Sequence, residues 1–513
     1  MKKLVLSAAV AFFATASAMA QTSANVDTSN QNGNGHNAST IQDGSGNNNL
    51  LNQNGNGQIS TVNQEGTGNK ATTTQSGSIN RSTVVQDGSS NEATTSQSGN
   101  SNISTVDQDG SGNKAMASQT GSGNMSDVDQ IGSGNIATTT QSGDNDSTLE
   151  QLGSSNIATI GQTGQNTSEA MQDGMGNNAS VTQGGVGNSS DLLQDGNGNI
   201  ATIEQVDGFR AQDNNTSNAE QIGNTNKLNV RQLGTGGNTS DALQRGNGND
   251  IKIVQNSTNT ADVTQIGDGN KADSYQFGTN DVTIYQRGNN NEAVEYARGA
   301  DNSTSITQLY GNNNKANVRH TGPGAASTGI NNDVTVLQTL GNFNDVDVDQ
   351  FGSDNTVAVT QSLGNRNYAK ADQKGDDNTA TIRTLIGSDN RAIALQEGDF
   401  NQASISQSGN MNKSNVAQTG DDNTATTSQN WFASSNEINI TQTGDNNTGI
   451  ASQSWGTNNK IGLTQTNDGN MSTSTQIGSS NMSTVMQDGL AGSNMHTGYQ
   501  NGSGNIMNVT QNN

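Results

Sequence analysis

Glutamine recurs at every eleventh position along much of this chain. From Gln42 it returns nine times in succession at this spacing, as far as Gln141, and the register then shifts by one or two positions on the way to Gln511. Each unit reads N-x-[A/S]-x-[V/T/I/A]-x-Q-x-G-x-x, in about 42 copies, three of which lack the glutamine. A fixed period of this kind is typical of solenoid proteins, in which each repeat packs only on its neighbours.

The spacing inside one unit identifies its secondary structure. In the copy that begins at Asn69, the fixed positions Asn69, Ala71, Thr73 and Gln75 are two residues apart. This spacing places side chains on one face of a β-strand, whereas a helix with about 3.6 residues per turn would scatter them around its circumference. The glycine that follows, Gly77 in this copy, is suited to a turn. The pattern predicts one strand and one turn per unit.

A second, longer period is superimposed on the first. The residue four places before each glutamine alternates between alanine and serine over 13 consecutive units, from Ala71 to Ala201. Odd and even strands therefore have different neighbours, and the simplest geometry is a 22-residue coil of two strands. Odd strands would stack in one parallel sheet and even strands in a facing one. We predict an all-β, amyloid-like parallel β-solenoid of about 21 coils, each advancing about 4.8 Å.

Composition excludes an ordinary globular core. Hydrophobic residues make up 27% of the chain and the formal net charge is -24, against roughly 45–50% apolar residues in typical domains. Small and medium side chains must fill a thin interior, while identical Asn and Gln amides stack from coil to coil and hydrogen bond in register. Cysteine is absent and Pro323 is the only proline, so cross-links are lacking and β pairing is uninterrupted.

The inward stripe is best defined in the regular units after residue 68. Its structural ladder residues are Asn69, Ala71, Gln75, Gly77, Asn80, Ser82, Gln86, Gly88, Asn91, Ala93, Gln97, Asn102, Ser104, Gln108, Asn113, Ala115 and Gln119. Charged residues are spread over turns and outward positions, and no constellation of acid, base and nucleophile is found. We therefore expect no enzyme, no cofactor and no metal site.

The N-terminus predicts export. Lys2 and Lys3 precede an apolar run that ends before Ala18-Met19-Ala20, a signal-peptidase pattern, and the run is too short to span a membrane. We predict a signal peptide at 1–20, a non-repeat segment at 21–35 that is a possible secretion address, and a repeat solenoid at 36–513. Insertions are expected near 206–215 and 321–330. The acidic charge argues against a nucleic-acid partner.

Acidic and aromatic residues near the ladder glutamines leave some alternatives open. Six aspartates follow a ladder glutamine in Q-D-G, either as gatekeepers that slow premature assembly by mutual repulsion or as solvated turn residues. They are Asp43, Asp87, Asp109, Asp173, Asp195 and Asp488. Trp431 and Trp455 each lie two residues after a ladder glutamine, which predicts that they stack on one edge in adjacent coils.

The repeat resembles the curlin repeat of curli fibres. The core Q-x-G-x-x-N-x-A-x3-Q is matched by Gln86, Gly88, Asn91, Ala93 and Gln97, and the resemblance covers residues 36–511. It implies a secreted structural subunit of an extracellular, cell-surface amyloid fibre that serves the biofilm matrix and adhesion. The partners it implies are other copies of the chain, an outer-membrane secretion pore and a nucleator subunit.

The strand pattern itself also favours polymerisation. It continues to Gln511, and an open strand edge is a template for the first coil of another molecule, giving head-to-tail filaments. The alternative is a monomeric secreted solenoid that binds a surface such as ice or glycan. An outward threonine ladder begins at Thr72 and Thr74, but Met116 and Ser118 interrupt it.

Overall fold

A computed structural model of the chain describes residues 23–206, 214–234, 236–321, 329–430, 432–489 and 493–512. The regular elements in these ranges are all β-strands. The first twenty are β1 (Val26–Asn34), β2 (Asn37–Ser45), β3 (Asn48–Asn56), β4 (Ile59–Thr67), β5 (Lys70–Ser78), β6 (Arg81–Ser89), β7 (Glu92–Asn100), β8 (Ile103–Ser111), β9 (Lys114–Ser122), β10 (Met125–Ser133), β11 (Ile136–Gly143), β12 (Asp146–Ser154), β13 (Ile157–Met175), β14 (Asn178–Asn197), β15 (Ile200–Val206), β16 (Thr216–Asn224), β17 (Lys227–Leu233), β18 (Thr239–Asn247), β19 (Asp250–Asn256) and β20 (Thr260–Ile266). The others are β21 (Lys271–Arg287), β22 (Glu292–Leu309), β23 (Lys315–His320), β24 (Gly329–Ile330), β25 (Asp333–Thr339), β26 (Asp345–Phe351), β27 (Thr356–Ser362), β28 (Tyr368–Lys374), β29 (Thr379–Thr384), β30 (Arg391–Glu397), β31 (Gln402–Gln407), β32 (Lys413–Thr419), β33 (Thr424–Asn430), β34 (Glu437–Thr443), β35 (Thr448–Ser454), β36 (Lys460–Thr466), β37 (Met471–Ile477), β38 (Met482–Asp488), β39 (Met495–Asn501) and β40 (Ile506–Asn512).

Strands pair in parallel with the strand one coil further on, which builds two sheets. The first sheet stacks β1, β3, β5, β7, β9, β11, β15, β17, β19, β23 and then the even-numbered strands from β26 to β40. The second sheet stacks β2, β4, β6, β8, β10, β12, β16, β18, β20 and then the odd-numbered strands from β25 to β39. The long strands β13, β14, β21 and β22 bend through a corner and belong to both.

The register repeats once per coil. Gln75 lies beside Gln97 in the first sheet, and Gln86 lies beside Gln108 in the second. About 21 coils are stacked in this way, which confirms the predicted parallel β-solenoid. The alternation of alanine and serine follows the same division, because Ala71 and Ala93 lie in the first sheet and Ser82 in the second.

The interior is thin and holds the side chains that lie two and four places before each ladder glutamine. Burial alternates along the strands, as in β8, where Ser104, Val106 and Gln108 are buried between more exposed neighbours. The two sheets face each other directly, since Ser82 Oγ and Thr95 Oγ1 lie 2.8 Å apart across the interior. Alternation of this kind is what lets a chain with few apolar residues bury those it has.

The coils begin before the predicted start of the repeats. β1 lies within the segment 21–35 and pairs in register with β3, and Gln31 Nε2 donates to Gln53 Oε1 at 2.7 Å. Asn25, Gln31 and Gly33 occupy the same ladder positions as their counterparts in later units, which explains why this segment joins the stack. The predicted signal peptide, 1–20, lies outside the described residues.

A ladder bond spans each of the two expected insertions. Gln205 Nε2 donates to Gln232 Oε1 across 27 residues, and Gln308 Nε2 donates to Gln338 Oε1 across 30 residues. Most of the segments 206–215 and 321–330 falls on residues outside the description, Pro323 included. Their conformation stays a prediction, while the coils on either side remain stacked.

Two edges join the sheets. The crossing edge holds the turns that lead from the first sheet to the second, such as the turn at Gly77, and the return edge holds the turns that lead back, such as the turn at Gly88. Gly88 has a φ of 107°, and a Cβ there would lie 2.0 Å from the carbonyl oxygen of Gly110 in the next coil. Glycine is required here because successive turns touch through their backbones.

We expect Gly88→Ala to destabilise the surrounding coils by about 2–4 kcal/mol, because the unfavourable φ adds to backbone overlap with Gly110. The matched control is Gly112→Ala, where φ is 66° and nothing lies within 4 Å of the added Cβ; this should cost only about 1–2 kcal/mol. Hydrogen exchange of β6 and β8 measures both effects. Equal losses for the two variants would contradict the backbone contact.

Candidate functional site

Stacked glutamines form a hydrogen-bonded ladder inside each sheet. Gln86 Nε2 donates to Gln108 Oε1 at 2.8 Å, and Gln108 Nε2 donates to Gln130 Oε1 at 2.7 Å. The second N–H of Gln86 donates to the carbonyl oxygen of Lys70, in the opposite sheet, at 3.0 Å. Each of these buried amides thus binds the next coil and links the two sheets.

Stacked asparagines stabilise the turns by hydrogen bonds to backbone groups. Asn91 Oδ1 accepts a hydrogen bond from the backbone N–H of Asn113, one coil later, at 3.0 Å. Asn91 Nδ2 donates to the carbonyl oxygen of Asp87 within its own turn and to that of Gly110 in the next coil. One asparagine side chain therefore satisfies three backbone groups that a tight turn would otherwise leave unpaired.

The remaining ladder residues lie on the inner face of the strands or in the turns. The structure buries the asparagine, alanine or serine, and glutamine positions of β5 to β9, and stacks Gly77 and Gly88 on their counterparts one coil further on. These side chains hold the fold together and form no concave active site. In the described residues, no group of three His, Asp or Glu side chains is placed to bind a metal ion.

The glutamine ladders have a direction. In every pair the nitrogen belongs to the coil nearer the N-terminus and the oxygen to the following coil, from the Gln31–Gln53 pair to the Gln487–Gln511 pair. At the far end Gln511 Nε2 donates to the carbonyl oxygen of Met495 and, within the described residues, to no further side chain. The C-terminal end of the stack therefore presents amide donors.

The N-terminal end presents the complementary groups. Within the described residues no donor reaches the Oε1 atoms of Gln31 and Gln42, whose nitrogens are bonded to Gln53 and Gln64. The whole of β1 is exposed, including Ser29 on its inner face. Acceptors at one end and donors at the other make the two ends of the described stack complementary.

Within the described residues, the glutamine row is interrupted at three positions. Ala297, His320 and Thr384 occupy the places of ladder glutamines. His320 is buried with its Nε2 2.6 Å from Thr304 Oγ1, and burial lowers its pKa to about 4. The oxygen of the next glutamine, Gln350 Oε1, is left without a hydrogen bond. The first-sheet ladder is therefore interrupted over two coils.

A buried glutamate lies at this interruption. Glu295 accepts a hydrogen bond from Ser274 Oγ at 2.8 Å, and its other oxygen has no partner. Burial raises the pKa of Glu295 to about 8, so the carboxyl group is largely protonated at neutral pH. The sequence analysis missed this residue, although a charged residue at an inward position of the repeat was visible in the pattern.

The outer faces of the two sheets differ in charge. On the first sheet opposite charges alternate in register, with Glu92 lying 2.9 Å from Lys70 and 3.4 Å from Lys114. On the second sheet Asp107 stacks on Asp129, and partial burial followed by repulsion from neighbouring acids raises the pKa of both carboxyls. Acidic charge is therefore concentrated on the second sheet in this part of the chain.

The six Q-D-G aspartates are all exposed, and five of them lie on the second sheet. Asp87 stacks on Asp109, and Asp173 stacks on Asp195. Asp43 stacks on Glu65, which in turn stacks on Asp87, so four acidic side chains follow one another in adjacent coils. Asp488 lies on the first sheet instead and accepts a hydrogen bond from Asn467 Nδ2 at 3.0 Å.

The predicted tryptophan pair is described only in part. Trp431 lies outside the described residues, whereas Trp455 is exposed and its ring centroid lies 5.6 Å from that of Phe432, one coil earlier. Tyr275 and Tyr296 also lie on adjacent coils, with centroids 6.4 Å apart. Aromatic side chains thus contact each other along the axis on the outside of the solenoid.

No stretch of the described chain forms a helix of the length and apolarity that crossing a membrane requires.

Fold and ladders together define a parallel β-solenoid stabilised by polar stacking, a class of structural protein. Comparison with known families adds that the curlin-associated repeat matches residues 80–110, 88–121, 99–132, 174–206, 279–322, 387–420 and 433–466. The chain is a curlin-repeat protein, which indicates a curli-like structural role. A search of curated proteins found no match.

Removing one amide from the ladder should be costly. Gln108→Met keeps the side-chain volume but leaves Gln86 without its acceptor and Gln130 without its donor, at about 1–3 kcal/mol for each unpaired buried group. Gln402→Met, at an exposed position, should change stability by less than about 0.5 kcal/mol. Urea unfolding measures the difference, and similar values for both variants would count against the ladder.

Stability should depend on pH through Glu295. Because its pKa is raised in the folded state, to about 8, the native chain binds more protons than the unfolded chain, so stability falls as the pH rises from about 5 to about 8. Glu295→Gln should remove this slope and raise stability at pH 8. Urea unfolding at pH 5 and pH 8 tests it against the exposed control Glu397→Gln; an unchanged slope in Glu295→Gln refutes the assignment.

Proposed function

We propose that the chain is the structural subunit of an extracellular amyloid fibre of the curli type. The observation that carries the proposal is the complementarity of the two ends, with amide donors at Gln500 and Gln511 and amide acceptors at Gln31 and Gln42. A second copy placed on the end of the first would continue the first sheet and its ladder directly, from Gln511 to Gln31, because β40 and β1 both belong to that sheet. Such a contact is head to tail and does not close, so it yields filaments.

The strands at each end support this proposal. β1 exposes its inner face, and Met507 and Val509 of β40 are only partly covered. An uncovered strand offers backbone N–H and C=O groups to a further strand, and parallel in-register stacking satisfies all of them at a spacing of about 4.8 Å. Each added subunit would expose a new edge that offers the same groups as the edge that it covers.

Export and nucleation belong to the same proposal. The N-terminal pattern at 1–20 supports secretion, and the resemblance to curlin repeats supports passage through an outer-membrane pore, nucleation by a second subunit and a place in the biofilm matrix at the cell surface. The subunit would act by polymerising with itself, without catalysis.

The stacked aspartates fit a role in timing assembly. Like charges in adjacent coils, as at Asp87 and Asp109, repel each other when the coils come together. We propose that they act as gatekeepers that slow collapse of the exported chain, since acidic side chains follow one another here in four adjacent coils.

The mature chain, refolded from denaturant at micromolar concentration, should form thioflavin-positive fibres with a cross-β reflection at about 4.7–4.8 Å. Gln500→Glu with Gln511→Glu should slow elongation at least tenfold, because carboxylates replace the donors that face the next subunit. Fluorescence kinetics and electron microscopy provide the measurement.

The control for this experiment is Gln402→Glu, an exposed glutamine away from the ends, which should elongate at the wild-type rate. Equal elongation of all three proteins would refute the role of the ladder ends. A soluble wild-type rod that never polymerises would overturn the fibre proposal and favour a monomeric solenoid that binds ice or glycan.

A further inference from the structure

Large apolar side chains are exposed along one edge of the C-terminal coils. Six of them follow one another on the return edge and form what we call the apolar ridge. The ridge consists of Tyr310, Leu340, Leu363, Ile386, Phe432 and Trp455, which expose 53% to 74% of their surface. Phe343 and Met411 flank it and are similarly exposed. The ridge spans seven coils, or roughly 30 Å at about 4.8 Å for each coil.

The ridge is built by a specific change in the turns. A regular return turn has one residue between the ladder position and the stacked glycine, as in Gln86-Asp87-Gly88, whereas Gln361-Ser362-Leu363-Gly364 has two. The additional residue directly precedes the stacked backbone, and its own N–H still bonds the previous coil, as Leu363 N does to the carbonyl oxygen of Thr339 at 3.1 Å. The extra side chain has to point into solvent.

The backbone conformation makes these residues unusual. Five of the six have φ between 52° and 59°, a region that glycine and asparagine adopt easily and bulky residues rarely adopt. These large apolar residues stay exposed at strained positions, although Phe432 contacts Trp455 and Arg287 lies over the ring of Tyr310. Strain of this kind is common at functional surfaces.

The crossing edge at these coils is more polar, although Phe400 is exposed there. Aspartates stack in its turns, where the backbone N–H of Asp399 donates to Asp421 Oδ1 at 2.8 Å. Beside the ridge, Arg366 makes two hydrogen bonds to Asp389, of 2.7 and 2.8 Å, which compensates both charges. A second ridge can therefore approach this edge without repulsion, in spite of the acidic charge of the chain.

We propose that two copies of this chain associate side by side through the apolar ridge. The ridge and its two flanking residues offer on the order of 800 Å² of apolar surface, which matches the area that each partner buries in a stable protein interface. Leu340, Leu363 and Ile386 have neither ring faces nor hydrogen-bonding groups for a sugar, so a second apolar surface fits the ridge better than a glycan does. Lateral pairing of rods goes beyond the head-to-tail filament and does not depend on it.

The test replaces the five strained ridge residues by asparagine, in the variant Tyr310→Asn, Leu340→Asn, Leu363→Asn, Phe432→Asn and Trp455→Asn. Asparagine tolerates this backbone region, so the variant should fold as well as the wild type. The matched control combines Ile79→Asn and Phe400→Asn, two exposed residues with φ of 56° on the crossing edge. Electron microscopy then counts the rods that lie side by side in each filament.

We expect paired rods for the wild type and the control, and single rods with unchanged elongation for the five-site variant. Sedimentation of the freshly refolded chain keeps the test independent of fibre formation, with a dimer expected for the wild type at micromolar concentration and a monomer for the variant. Single rods and a monomer in the wild type would overturn the proposal, as would persistent pairing in the five-site variant.

A cysteine placed in the ridge gives a second readout. The chain has no cysteine, so Ile386→Cys, near the middle of the ridge, should form a covalent dimer on oxidation, and the five asparagines should abolish it. Phe400→Cys on the crossing edge should stay monomeric. Equal cross-linking at both edges would overturn the pairing, as would a monomeric wild type that is captured by polysaccharide through the ridge.

Discussion

The hydrogen bond between identical side-chain amides in successive coils is the interaction on which this structure depends. A buried amide without a partner costs about 1–3 kcal/mol, so a row of buried glutamines is favourable only when its amides bond to one another. Because the same residue recurs in every coil, stacking meets this condition with one type of contact. The bond from Gln86 to Gln108 is an example, and it is repeated along the axis. The register of the strands follows from it, because a slip of one residue would unpair the whole row.

The ladders leave the outside of the solenoid free to vary. Strand side chains that point outward take no part in the inner stack, so the first sheet can carry compensated pairs such as Lys70 and Glu92 while the second carries stacked acids such as Asp107 and Asp129. The same freedom extends to the turns, where additional residues bulge without disturbing the stack. The outward side chains and the turn residues can thus change without a change in the fold.

The interruptions show what the ladder contributes. Where Ala297 and His320 replace glutamine, the structure contains unpaired polar atoms and a buried carboxyl group at Glu295. Stacking continues through these coils because backbone pairing and the apolar interior persist, with Val318 buried in the same coil as His320. The direction of the amide bonds also gives the described stack two chemically different ends.

The sequence alone determined the two-strand coil, because its period shows which residues stack on one another. Every second unit carries the same residue types at the same positions and could be placed only on top of its counterpart, so the strands, the turn glycines and the ladder from Asn69 to Gln119 were all predictable. It did not show that β1 joins the stack, nor that Glu295 lies beside an interrupted ladder. The charge difference between the sheets and the apolar ridge were likewise decided by the tertiary structure. Whether an extra turn residue such as Leu363 points inward or outward, and which edge it shares with Trp455, depends on how the backbone closes each turn, and residues far apart in the chain become neighbours only once the coils are stacked.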